Sequence, residues 1–120
     1  MLETAEEKEE IRHLVVFVTT ASKEEAMKIA EEVVEKKLGA CVNIIHPVIS
    51  VFTWKGKIEK AEEGLLIIKT TIERFSQLLE KIKQLHSYDV PEIIALPVLA
   101  GNSSYLNWID EVCGKAGASD

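Results

Sequence analysis

Two periods of apolar spacing alternate along this chain. Leu14-Val15-Val16-Phe17-Val18 is an unbroken apolar run that predicts a strand over 11–20. Ser22-Lys23-Glu24-Glu25 then has the form of a capping box, with Ser22 at the N-cap and Glu25 reaching back. Ala26, Ile29, Ala30, Val33 and Leu38 recur at helical spacing behind it, and Gly39 is the expected end of that helix. A long second strand is expected over 40–54, bent or broken at His46-Pro47. Lys55-Gly56-Lys57 turns it into a third strand over 58–70, with a bulge expected at Glu62-Glu63-Gly64. Thr70 or Thr71 caps a second helix with the stripe Phe75, Leu78, Leu79, Ile82 and Leu85. A fourth strand follows over 93–99, where Pro97 points to an edge or a bulge, and Tyr105, Trp108, Ile109 and Val112 mark a short last helix.

The order β-α-β-β-α-β plus a C-terminal helix is that of an α+β, ferredoxin-like sandwich. Right-handed crossovers place the two main helices on one face of a four-stranded antiparallel sheet. A sheet with one wet face should alternate apolar and polar residues, yet Leu14–Val18, Leu65–Ile68 and Ile93–Leu96 do not. Both faces of the sheet centre are therefore apolar. Left in water, the second face would form a patch larger than monomers tolerate, which predicts an oligomer with the hairpin around Gly56 as an arm toward a neighbour.

Composition narrows the class. At 120 residues the chain suits one domain, expected over 11–113, between an acidic arm at 1–10 and a flexible small-residue tail at 114–120. Its net charge of -6 disfavours nucleic acid as a partner. No apolar run is long enough to span a bilayer, and Met1–Glu10 lacks the apolar core of a signal peptide, so a cytoplasmic place is the expectation. Cys41 and Cys113 lie far apart without metal-ligand spacing and are read as buried thiols. His13 and His46 are read as structural.

The densest chemistry lies in His86-Ser87-Tyr88-Asp89-Val90-Pro91-Glu92-Ile93, which packs an imidazole, a phenol and two carboxylates between a helix and a strand. Pro91 forbids a helix through this stretch and pushes Val90 toward an extended conformation, so the helix must end before it. Polar groups at such a junction are candidates for a ligand site. They also have structural uses: Asp89 as a turn former, Tyr88 as a wedge under the loop, His86 as a helix C-terminal residue.

The chain resembles the CutA divalent-cation tolerance proteins. The resemblance rests on Leu38-Gly39-Ala40-Cys41-Val42-Asn43, Ser50–Ile58, Ile68-Lys69-Thr70-Thr71, His86–Ile93 and Tyr105-Leu106-Asn107-Trp108, five segments in register that cover about residues 12 to 112. It implies a tight homotrimer, similar in architecture to PII signalling proteins. It also implies a link to tolerance of copper and other divalent ions, and a ligand cleft between subunits lined by the junction. By that resemblance His86 and Glu92, with Asp89, are the candidate metal ligands, and Trp54, Lys69 and Tyr88 line the cleft. Two positions depart from the family pattern. Thr19 stands where some members carry a cysteine, and Ser87 where a proline usually follows the histidine. Without that thiolate, imidazole and carboxylate suit a borderline or harder divalent ion better than Cu(I).

Three classes of function follow. One is a trimer that binds a divalent ion weakly, copper or zinc, with no obligatory cofactor. Another is a PII-like adaptor that takes a small metabolite or anion at the same cleft, where Lys69 and the Thr70/Thr71 cap could meet an anion. An enzyme is not expected. Thr19-Thr20-Ala21-Ser22 lacks the arginine of a phosphate-cradling loop, and no Ser-His-Asp or Cys-His set can be assembled.

Overall fold

The computed structural model describes residues 10–114, so the expected arm at 1–10 and tail at 114–120 fall almost wholly outside the described residues. The elements are β1 (His13–Thr20), α1 (Lys23–Glu35), β2 (Cys41–Trp54), β3 (Lys57–Thr71), α2 (Phe75–Leu85), β4 (Ile93–Pro97) and α3 (Ser103–Cys113), with a 3-10 turn over Ile72–Arg74. The sheet order is β2-β3-β1-β4 and every neighbouring pair is antiparallel, as the ferredoxin-like order requires. Pro97 sits on edge strand β4, where a missing N–H costs little.

Alternation along β1 and β3 sorts the faces. Val16, Val18, Leu66 and Ile68 are wholly buried and meet Ala26, Ile29, Val33, Leu78 and Ile82 of the helices. Val15, Phe17, Leu65 and Ile67 point the other way and are only partly covered. On that second face Ile45, Ile94 and Leu96 remain 46%, 51% and 47% exposed. Helix α3 covers one end of the sheet, where Ile109 and Cys113 pack with Ala40, and Asp110 Oδ1 lies 2.8 Å from His13 Nε2.

Two local expectations shift, and one open choice closes. Helix α1 stops at Glu35, and the left-handed residue is Lys37 (φ 61), not Gly39. Lys37 N–H donates to Val34 O and Leu38 N–H to Val33 O, the paired bonds of a Schellman cap. Gly39 is needed for space instead: a Cβ there would stand 2.8 Å from Ile68 Cγ2 and 2.9 Å from Val33 Cγ1. The bulge expected in β3 at Glu62-Glu63-Gly64 lies instead on β2, at His46-Pro47, where a bend or break is expected. Ile45 pairs with Leu65 and Val48 with Glu63, so His46 and Pro47 together oppose Gly64. Thr71, not Thr70, caps the turn before α2, accepting from Arg74 N–H. Thr70 is buried and donates its hydroxyl to Leu38 O at 2.7 Å.

The arm is a tight hairpin. Trp54 pairs with Lys57 across Lys55-Gly56, and both turn residues have positive φ (53 and 79). That is the type I′ geometry whose twist matches the strands. Residues 51–60 are all exposed.

Candidate ligand site at the helix–strand junction

Helix α2 ends where His86 turns extended (φ -79, ψ 142), its N–H still bonded to Ile82 O. The loop to β4 then folds over the end of β1. The His86 side chain is fully buried. Its Nε2 lies 2.7 Å from the Thr19 carbonyl oxygen, and its Nδ1 lies 3.0 Å from Tyr88 N. A carbonyl can only accept and a backbone amide can only donate. The ring is therefore the neutral tautomer with its proton on Nε2, and both nitrogens are engaged. Glu25 Oε2 is 3.7 Å from Nδ1, too far for a hydrogen bond. Protonating Nδ1 toward it would take the acceptor from Tyr88 N–H.

Tyr88 leans on His86, ring centroids 4.8 Å apart, and donates its hydroxyl to Glu63 Oε2 at 2.6 Å. Burial, then the hydrogen bond to Glu63 and the charges of Glu63 and Glu25, push its phenol up to about 12. Glu63 is itself buried, at the point in β3 where the bulged strand β2 passes.

Glu25 holds the loop from the other side. Its Oε1 accepts from Ala21 N–H (2.9 Å) and the Ser87 hydroxyl (3.1 Å), and its Oε2 accepts from Ser87 N–H (2.6 Å). Burial pushes this carboxyl up, but the hydrogen bonds from Ala21 and Ser87 carry it below its ordinary value. Half of the expected capping box forms, with Ser22 Oγ accepting from Glu25 N–H; the Glu25 carboxylate reaches back to Ala21 N–H, one residue before the N-cap, and on to Ser87. Sequence reading missed both Glu25 and Glu63 as parts of the junction. The one available signal for Glu63 was a carboxylate at the border of an apolar run.

The candidate residues are not all brought together. His86, Tyr88 and Glu92 gather around the end of β1, with Thr19 Oγ1 3.5 Å from Glu92 Oε1. Asp89 and Glu92 are exposed. Trp54 is at the hairpin tip, 59% exposed, with Lys55 Nζ 5.9 Å from its ring centre. Lys69 pairs with Val15 while Leu65 pairs with Thr19, which separates Lys69 from the junction by about 13 Å along the strand. Lys69 donates to Asn43 Oδ1, and its Nζ is 3.9 Å from Cys41 Sγ. Cys113 is buried as expected, but Cys41 is only half-buried.

Among the described residues no three His, Cys, Asp or Glu side chains cluster as a metal site. His86 has no free nitrogen, and Glu92 and Asp89 are single oxygen donors on an open rim. The donors of one chain do not by themselves fit a metal ion, which wants about four.

These features define a class: a small ferredoxin-like sandwich with a polar loop site at one sheet end and an apolar sheet face that the described residues leave half exposed. The chain belongs to the CutA1 divalent ion tolerance protein family, which matches residues 14–112. It is 46% identical over 100 residues to the divalent-cation tolerance protein CutA of Thermus thermophilus, covering 83% of this chain and 97% of that protein. It is also 46% identical over 96 residues to human protein CutA, covering 80% of this chain and 54% of the human protein. The solved structure of the periplasmic divalent cation tolerance protein CutA from Archaeoglobus fulgidus superposes with a TM-score of 0.82 at 46% identity, covering 84% of this chain and 98% of that one.

Proposed function

We propose that this chain acts in divalent-cation tolerance as a PII-like homotrimer that binds a divalent ion such as copper or zinc weakly at the cleft between subunits, without catalysis. The observation that carries this is the uncovered sheet face with Ile45, Ile94 and Leu96 about half exposed, continued onto an arm where Ile49, Val51, Trp54 and Ile58 are 66%, 62%, 59% and 75% exposed. At about 25 cal/mol per Å², covering several hundred Å² stabilises an assembly by many kcal/mol before entropy losses. Subunit contact also remedies the shortage of donors, since Glu92 and Asp89 of one chain would be completed by groups of the next. His86 joins such a set only by releasing Thr19 or Tyr88. The commitment of both His86 nitrogens withholds the junction's imidazole from acting as a base, which supports a role without catalysis, and the two free thiols fit a reducing cytoplasm.

The test combines mass and titration. Light scattering across a dilution series is expected to give three chains per particle; a persistent single chain would overturn the reading. Calorimetric titration with Cu(II) and Zn(II) is expected to show saturable binding that weakens in Glu92→Ala/Asp89→Ala. The absence of a three-donor cluster among the described residues of one chain favours a second reading, a PII-like adaptor for a small metabolite or anion. Unchanged metal affinity in that variant, with binding of small carboxylates or phosphates in metal-free buffer, would select it.

A further inference from the structure

We infer that Glu25 is the positioning residue of the junction, acting through Ser87. The inference rests on the junction being the ligand site, and it concerns a residue on a different element from all of the candidate donors. Glu25 projects from the first turn of α1 with its side chain 13% exposed, so it faces the protein and not an incoming ligand. Its three acceptor contacts divide between two segments. Ala21 belongs to the turn after β1, and Ser87 supplies both its backbone N–H and its hydroxyl from the loop after α2.

Those segments carry the groups that shape the rim. Two residues before Ala21, Thr19 holds His86 by its carbonyl and faces Glu92 with its hydroxyl. On either side of Ser87, His86 and Tyr88 lock to each other through Nδ1 and the amide. The carboxylate thus adds a second tie, beside the bond between His86 and Thr19, between the end of β1 and the loop that bears Asp89 and Glu92. Ser87 suits the task because it offers two donors pointing the same way. A proline at this place would have no N–H and no hydroxyl, and the tie to Glu25 would not exist.

A double-mutant cycle on the full-length protein tests this, read by amide hydrogen exchange at Tyr88 and by Zn(II) affinity. Glu25→Ala is expected to speed Tyr88 exchange at least tenfold and to weaken Zn(II) binding several-fold, with Glu25→Gln intermediate. In a Ser87→Pro background Glu25→Ala should add little to either loss, because the carboxylate's partners on the loop are already gone and only its contact with Ala21 N–H is left to lose. Ser22→Ala removes the hydroxyl that caps Glu25 N–H without touching Ser87, so it should leave Tyr88 exchange near wild type. Equal effects of Glu25→Ala with and without Ser87, or an equal effect of Ser22→Ala, would reduce Glu25 to an ordinary helix cap and overturn the inference. If wild type binds no Zn(II), the cleft reading fails by that result alone, and the exchange cycle still decides whether Glu25 acts through Ser87.

Discussion

His86 Nε2 stands 2.7 Å from the carbonyl oxygen of Thr19, joining the end of α2 to the end of β1 through a fully buried ring. The same ring accepts Tyr88 N–H on Nδ1. Truncation to alanine would leave a carbonyl and an amide unpaired and open a cavity. His86→Ala should therefore cost about 2–4 kcal/mol of stability in urea unfolding, whether or not any metal is present. A residue used only as a metal donor would show no such loss in chelator.

Tyr88 and Glu63 make a pH-dependent contact. The phenol is raised from 10.0 to about 12, first by burial and then by the carboxylate it donates to. A raised acid favours its neutral form in the folded state. The contribution is thus fully present below pH 10 and is lost as pH rises through 12. Absorbance titration at the phenolate band should show Tyr88 ionising near the upper value, beside Tyr105, whose phenol is also raised, first by burial. Tyr88→Phe should remove that late step and destabilise by about 1–3 kcal/mol, because Glu63 stays buried without its donor.

The two thiols should differ in reactivity. Cys113 is fully buried, and burial is the first cause of its raised thiol, ahead of the opposing contact with the Thr70 hydroxyl and charge of Arg74. Cys41 is half-buried with the Lys69 ammonium 3.9 Å from its sulfur. A disulfide reagent added to native protein should modify Cys41 at least tenfold faster than Cys113, the second following only on unfolding. Mass spectrometry of the labelled peptides separates them, and Cys113 reacting first would refute the assignment.

At Gly39 the prediction concerns space alone. A methyl group would have to displace Ile68 Cγ2 and Val33 Cγ1, both from wholly buried side chains. Gly39→Ala should destabilise by about 1–3 kcal/mol through overpacking. The usual gain from replacing a glycine of unstrained φ is only about 0.4–1 kcal/mol and should not offset it. Lys37→Gly, at the left-handed position, should instead be neutral or stabilising.

The sequence carried the fold through short-range signals. Apolar spacing located Leu78 and Ile82 of α2, and the Ser22–Glu25 box marked the start of α1. What escaped were pairings between distant segments. Nothing local ties Glu25 to Ser87, which are 62 residues apart, or Tyr88 to Glu63, which are 25 apart. The glycine at 39 was legible as special, but a close approach to Ile68 and a helix stop look alike in one dimension. Lys69 and Trp54 fell on motif positions, and motif order says nothing of the strand length separating them from the junction.

The apolar face gives the last prediction. Ile94 pairs with Phe17 across β4 and β1, at the centre of the uncovered side and near the loop that carries Glu92. It is 51% exposed in the single chain, so a charge there meets water and should cost the monomer fold little. In an assembly that covers this face the same aspartate would be desolvated without a partner, at several kcal/mol per copy. Ile94→Asp should therefore shift the particle toward single chains while far-ultraviolet circular dichroism stays native. A control on the helix-facing side, Val18→Asp, should unfold the protein outright because Val18 is wholly buried. If Ile94→Asp assembled as tightly as wild type, the covering surface would have to lie elsewhere, and the arm from Ile49 to Ile58 would become the place to look.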